Sequence, residues 1–123
     1  MKISDIIINK KDGSLIKFKI KIPETKASLL NGLMYLKKLN RFEGMLFDFG
    51  ENGFINMWMN NTLIPLDIMF FDSARSLVYI YENAIPHDKT SFGCANVRYA
   101  LEIGGGRTKK LGITIGDSFN III

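Results

Sequence analysis

Met57-Trp58-Met59-Asn60-Asn61-Thr62-Leu63-Ile64-Pro65-Leu66-Asp67-Ile68-Met69-Phe70-Phe71 reads as a strand, a corner and a second strand. The corner has its own chemistry. Asn61 and Thr62 carry short polar side chains that bond nearby backbone, and Pro65 presets φ. The run after it is apolar and too short for an independent helix, so it is assigned to a strand at residues 66–71. Asp67 interrupts that strand. Leu66 and Ile68 face one side, while Asp67 shares the other with Met69 and Phe71. A carboxylate left unpaired there costs several kcal/mol, so it must be hydrogen-bonded, paired or protonated. The nearest donors in sequence belong to the Asn61-Thr62 corner, which is therefore expected to hold Asp67 in an at least half-buried place.

Outward from this stretch the pattern stays β. Residues 54–60 and 45–49 read as strands around the turn Gly50-Glu51-Asn52-Gly53. Residues 66–71 and 77–82 pair across Asp72-Ser73-Ala74-Arg75-Ser76, and a polar loop follows at 83–96. A strand at 97–103, a Gly104-Gly105-Gly106 break, a helical turn at 107–111 and a strand at 118–123 complete that side. Toward the N-terminus, strands at 5–10 and 14–22 flank Asp12-Gly13, a hairpin signal, and Pro23 stops the second. Between them and the rest, Ala27, Leu30, Leu33 and Met34 recur at helical spacing, with Leu29 adjoining, which predicts one amphipathic helix over 24–38. Gly32 inside it costs about 1 kcal/mol against Ala and points to a tight contact or an early helix end. Eight short strands with little helix predict an all-β fold with minor α: an antiparallel β-sandwich or partly closed barrel, jelly-roll-like, in one domain spanning 1–123.

Composition agrees. The chain has 123 residues, 47% hydrophobic and 23% charged, with nine Phe, four Tyr and one Trp, enough for a core and against wholesale disorder. No apolar run reaches the roughly 20 residues of a membrane-spanning helix, and Ile6-Ile7-Ile8 between Asp5 and Lys10-Lys11 is not a secretory leader, so a soluble chain is expected. The single Cys94 excludes an internal disulfide and a multi-cysteine zinc site. Net charge is +4, concentrated in residues 1–40, where nine Lys oppose Asp5, Asp12 and Glu24. Such an end can attract nucleic acid. Here Lys17, Lys19 and Lys21 alternate with Ile16, Phe18, Ile20 and Ile22, which makes them the wet face of a half-buried strand. No aromatic side chain shares their face to stack on bases, Phe18 alternating to the other side, so no nucleic-acid partner is expected.

The motifs also resemble those of a bacterial and archaeal family catalogued as domain of unknown function 192. The Met57 to Phe71 stretch is similar to its signature. Gly32-Leu33-Met34, Gly44-Met45-Leu46-Phe47, Arg98-Tyr99-Ala100-Leu101-Glu102, Leu111-Gly112 and Gly116-Asp117 resemble its other elements in order, over about 16–121. Met57 stands where an aromatic is usual, and Arg107 where a small capping residue is common. The resemblance implies a small, mainly antiparallel β domain, often exported in bacteria, without a settled activity. It implies an extracytoplasmic (periplasmic) location if an upstream leader was removed; the alternative is cytoplasmic.

Candidate chemistry is sparse. Cys94 and the only histidine, His87, share one loop without an orienting third group. Asp67 with Glu82 or Glu102 could form a hydrolytic acid pair if suitably separated, although Glu102, following Arg98 and Ala100 on one strand face, also fits a solvated or cross-strand-paired residue. His87-Asp88 and Asp117 are too scattered for a metal site, and no cofactor is expected. Gly104-Gly105-Gly106-Arg107 resembles an anion nest but lacks the phosphate-loop ending, and a glycine turn is the simpler reading. Trp58, Asn60, Asn61, Thr62 and Asp67 remain as ligand-binding candidates: an aromatic face beside amide, hydroxyl and carboxylate groups suits a polar small molecule or peptide. The competing structural assignment has Trp58 in the core and Asn61 and Asp67 locking the corner. The expected function is thus a non-enzymatic binding domain, possible in the cell envelope; a hydrolase using Asp67 with a second carboxylate and a structural interaction protein are the alternatives.

Overall fold

In the computed structural model, which describes residues 1–122 apart from the side chains of Lys26, Ala27 and Leu30, the hairpin opens the fold as expected. Strands β1 (Lys2–Asn9) and β2 (Leu15–Ile22) pair antiparallel, with Ile6 opposite Phe18 and Ile8 opposite Ile16. Asp12 closes the turn by accepting hydrogen bonds from the Ser14 N–H at 2.8 Å and the Ser14 hydroxyl at 2.5 Å. Ile6, Ile8, Phe18 and Ile20 are fully buried, while Lys17, Lys19 and Lys21 are exposed.

After Pro23 comes helix α1 (Lys26–Asn31), capped at Thr25, whose hydroxyl accepts from the Ser28 N–H. It spans six residues where the periodicity predicted a helix over 24–38. The early end is at Gly32, which adopts φ 53° and ψ −132°, open mainly to glycine. Of the predicted apolar face, Ala27 and Leu30 lie outside the described side chains; Leu29 packs against the same apolar cluster that holds Leu33.

The remaining elements are β3 (Glu43–Met57), β4 (Leu66–Phe71), β5 (Leu77–Ala84), β6 (Phe92–Gly104), helix α2 (Arg107–Leu111) and β7 (Ser118–Ile122). Ile123, expected to end the last strand, lies outside the described residues. Seven strands replace the eight predicted because 45–49 and 54–60 belong to one strand, β3. The expected turn at 50–53 is a bulge: register against β6 jumps from Asp48–Tyr99 to Gly53–Val97. β6 likewise starts at Phe92, inside the expected 83–96 loop, because Phe92, Gly93 and Cys94 pair with Met57, Asn56 and Ile55.

All seven strands lie in one mixed sheet ordered β5-β4-β6-β3-β2-β1-β7, not in two packed antiparallel sheets. The exception to antiparallel pairing is β2 with β3; the long crossover through α1 is what permits a parallel pair. The two ends of the sheet approach each other where Ser76 bridges Ser118 and the Leu77 N–H donates to the Asp117 carbonyl at 2.7 Å, without closing a barrel. Every strand sends a side chain into the core inside this curl, among them Ile8, Phe18, Leu46, Met69, Leu77, Leu101 and Phe119. A second core lies on the other face, built on Met45, Phe47, Ile68, Phe70 and Ala100 and covered by Leu33 and Met59. β4 and the C-terminal half of β6 are sandwiched between the two. That explains why all six residues of β4 are buried. No helix among the described residues is long and apolar enough to cross a membrane.

Candidate functional site

Two carboxylates emerge from this doubly covered part of the sheet. Asp67 pairs with Ile103 and Glu102 with Ile68. Cross-strand partners share a face, and Ile103 belongs to the inner core while Ile68 belongs to the outer one. Asp67 and Glu102 therefore point to opposite sides of the sheet. They cannot act together on one bond.

Asp67 is fully buried and saturated with donors. Its Oδ1 accepts from the Asn83 and Gly106 N–H groups, both at 2.9 Å, and its Oδ2 from the Thr108 N–H at 3.0 Å and the Thr108 hydroxyl at 2.7 Å. These donors differ from the Asn61-Thr62 corner that proximity in sequence suggested. The Gly104-Gly105-Gly106 segment is a glycine turn, as the simpler reading had it, and it aims the Gly106 N–H at the chain's own Asp67 carboxyl. The corner contributes indirectly: the Pro65 carbonyl accepts the Gly105 N–H at 3.0 Å, which pins the glycine turn beside β4.

Glu102 is the opposite case. It is 5% exposed, its Oε1 is buried with no hydrogen-bond partner among the described residues, and desolvation pushes its pKa up to about 8. At neutral pH it is mostly a protonated carboxylic acid, offering one donor and free acceptor capacity. Neither of its expected fates, solvated or paired across the sheet, is realised.

What Glu102 faces is a cleft of about 150 Å³. Gly32, Phe47, Phe49, Met57, Trp58 and Thr62 form its walls. Phe47 and Phe49 stack with ring centroids 6.4 Å apart. Gly32 completes the wall by close approach. A Cβ there would stand 3.3 Å from Glu102 Oε1 and 3.4 Å from Phe47 Cζ, which makes the early end of α1 part of the cleft's shape. Trp58 is 47% exposed at the cleft, although the structural assignment had put it in the core.

Of the five residues singled out from sequence, Trp58 and Thr62 line this cleft, while Asn60, Asn61 and Asp67 do not. Thr62 is buried, its hydroxyl 3.3 Å from the Asn60 carbonyl. Asn61 has φ 54° and its carbonyl accepts the Tyr35 N–H at 2.9 Å, so it shapes the corner. Sequence reading undervalued Glu102. The available signal was the one that marked Asp67: an acid between apolar neighbours, here Leu101 and Ile103, in a strand interior.

The other polar candidates have structural partners. Cys94 is half-buried, burial raises its thiol pKa, and its Sγ lies 3.6 Å from the Ala95 carbonyl. An activated nucleophile needs the reverse shift. His87 is exposed, and its backbone N–H donates to the Thr62 carbonyl at 3.0 Å. Asp117 accepts from the Lys11 N–H at 3.0 Å and the Thr114 N–H at 2.8 Å. Among the described residues no three His, Cys, Asp or Glu side chains converge as metal ligands.

The chain matches the model of the family DUF192, "Uncharacterized ACR", over residues 7–121. Two solved structures are similar throughout. A candidate transcription regulator of Sinorhizobium meliloti 1021 is 32% identical, with TM-score 0.95, over 98% of this chain and 94% of its own. A protein of unknown function from Novosphingobium aromaticivorans DSM 12444 is 34% identical, with TM-score 0.91, over 96% of this chain and 84% of its own. A search of curated proteins finds no significant match.

Proposed function

The chain belongs to the uncharacterised DUF192 family, and from the geometry of its own cleft we propose that it is a non-enzymatic binding domain that takes a polar group of a small molecule or peptide beneath Trp58. One observation carries this reading: Glu102 lines the cleft with a buried carboxyl, one oxygen of which has no hydrogen-bond partner among the described residues. A buried polar atom without a partner costs about 1–3 kcal/mol, and a ligand that supplies the partner recovers that cost on binding. The aromatic walls supply contact area, and the cleft is below the roughly 300–1,000 Å³ of a site that encloses a whole drug-sized ligand. It therefore suits one inserted group, the rest of the ligand lying outside.

Hydrolysis by Asp67 paired with Glu102 receives no support from their placement on opposite faces. The proposed setting is the cell envelope, on the strength of the family resemblance, and fractionation of cells expressing the natural protein tests it.

The sole tryptophan makes the binding test direct. Titration with alkylamines, simple amides, blocked short peptides and monosaccharides should change Trp58 fluorescence saturably for at least one class, with the ligand recovered chemically unchanged. Glu102→Leu should abolish the change while circular dichroism remains native. No response from any class, or conversion of the ligand, would overturn the proposal.

A further inference from the structure

Resting on the reading of the cleft as a binding site, we infer that the inserted group is a primary alkylammonium, which pairs with Glu102 as the carboxylate. The first ground is the charge of the walls. None of the other lining residues, whether from α1 and its following turn, from β3 or from the 58–62 corner, carries a charge, and Ile68 occupies the β4 position opposite Glu102. Glu102 is the one titratable group facing the cleft among the described residues, so a cation entering it meets no repulsion at close range.

The second ground is donor chemistry. Glu102 Oε1 has no donor among the described residues, and an ammonium brings three. A neutral amide offers the acid one donor and one acceptor without charge pairing. Pairing in a desolvated site is the stronger interaction. The third ground is shape. Phe47, Phe49 and Trp58 present aromatic surface that attracts a cation and also packs against methylenes, with Met34 and Met57 alongside. A narrow cleft with mostly apolar and aromatic walls, in which Asn31, Asn56 and Thr62 are the neutral polar groups and Glu102 the one acid, fits a flexible alkyl stem with a charged tip better than a sugar ring with hydroxyls all round its edge.

The proton balance is explicit. With its pKa at about 8, Glu102 is protonated before binding at neutral pH. As the ammonium enters, the acid releases its proton to solvent and the carboxylate pairs with the unchanged –NH₃⁺. Below the apo pKa, affinity must then rise with pH, because each binding event has to expel that proton.

Calorimetry on the full chain with n-butylamine, a blocked lysine peptide and butyramide, in two buffers of different ionisation enthalpy, tests this. Amine affinity should rise roughly tenfold from about pH 6 to 7, with about one proton released per amine bound. Glu102→Gln, isosteric and checked for folding by its melt, should weaken amine binding at least about tenfold and remove the pH slope. Equal affinity for butylamine and the lysine peptide assigns a free amine, and much tighter peptide binding assigns a lysine side chain; either supports the inference. PH-independent amine binding, no proton release, or butyramide binding as well as butylamine would overturn it and leave the binding-domain reading intact. Failure of every class of probe would remove that reading as well.

Discussion

Asp67 and Glu102 sit on neighbouring strands, one residue pair apart, and both are buried, but they differ in the donors they meet. Asp67 has four donors; replacing it with Asn turns an amide nitrogen toward N–H groups and leaves buried donors unsatisfied. Asp67→Asn should lower unfolding free energy by about 2–3 kcal/mol, and Thr108→Val, which removes one of the four bonds, by about 1 kcal/mol, both read from urea denaturation. Glu102 predicts a pH effect of its own. Below its ordinary value of 4.5 both folded and unfolded chains hold the proton. Between 4.5 and about 8 the unfolded chain loses it while the folded chain keeps it, so stability falls as pH rises and levels off above about 8. The slope has a ceiling of about 1.4 kcal/mol per pH unit. Asp48, where desolvation is outweighed by the combined pull of the Arg98 guanidinium and the Gly50 N–H so that its pKa is lowered, acts in the opposite sense at lower pH. The comparison that isolates Glu102 is therefore wild type against Glu102→Gln, and their stability difference should grow in favour of the variant from about pH 5 to 8. A constant difference across that window would show that Glu102 ionises normally.

At the scale of elements, the sequence was most legible where local chemistry decides the outcome. Asp12-Gly13 announced the β1–β2 hairpin, and the 61–65 corner and the turn of helix at 107–111 fell where their residues placed them. Elements defined by long-range pairing were harder. Phe92-Gly93-Cys94-Ala95-Asn96 has no alternating pattern, yet its first three residues are held as strand by partners at 55–57 on β3. Gly50 and Gly53 marked a reversal that β3 makes as a bulge, stabilised by Asn52 bonding Ser73 across the surface. The parallel β2–β3 pair has no local signature at all. The same limit applies to the site: Trp58 was recognisable as special, but the wall opposite Glu102 comes from Gly32, seventy positions earlier. Lys17, Lys19 and Lys21 give this scale its prediction. They project from β2 into solvent, with Lys17 3.4 Å from Asp5 in an exposed pair that contributes little. Replacing all three by Gln should shift stability by less than about 1 kcal/mol. Tight DNA or RNA binding by the parent at physiological salt, absent in the variant, would make this face a nucleic-acid site instead of a solubilising surface.

For the molecule as a whole, the curl of the sheet makes its two ends interdependent. The inner core draws on all seven strands, so no strand can leave without exposing part of what the others bury. Asp117 sits at the seam. Its carboxylate fixes the Lys11 N–H of the β1–β2 turn and the Thr114 N–H of the segment before β7, and its carbonyl receives the Leu77 N–H that begins β5. Phe119 follows it into the core and meets both Phe71 and Tyr99 edge-on, at centroid distances of 4.7 and 5.1 Å. Loosening Asp117 should consequently be felt across the sheet and not at β7 alone. Asp117→Ala is expected to lose about 2–4 kcal/mol, since it orphans two backbone donors at a buried position. Far-UV and near-UV signals should still unfold together, at a lower denaturant midpoint. Native-state hydrogen exchange separates the alternatives. If the curl is one cooperative unit, amides in β5 and β7 lose protection by similar amounts, together with those of β1. Fraying confined to residues 118–122, with β5 protected as before, would mean that the seam is only a surface contact and that the sheet holds together without it.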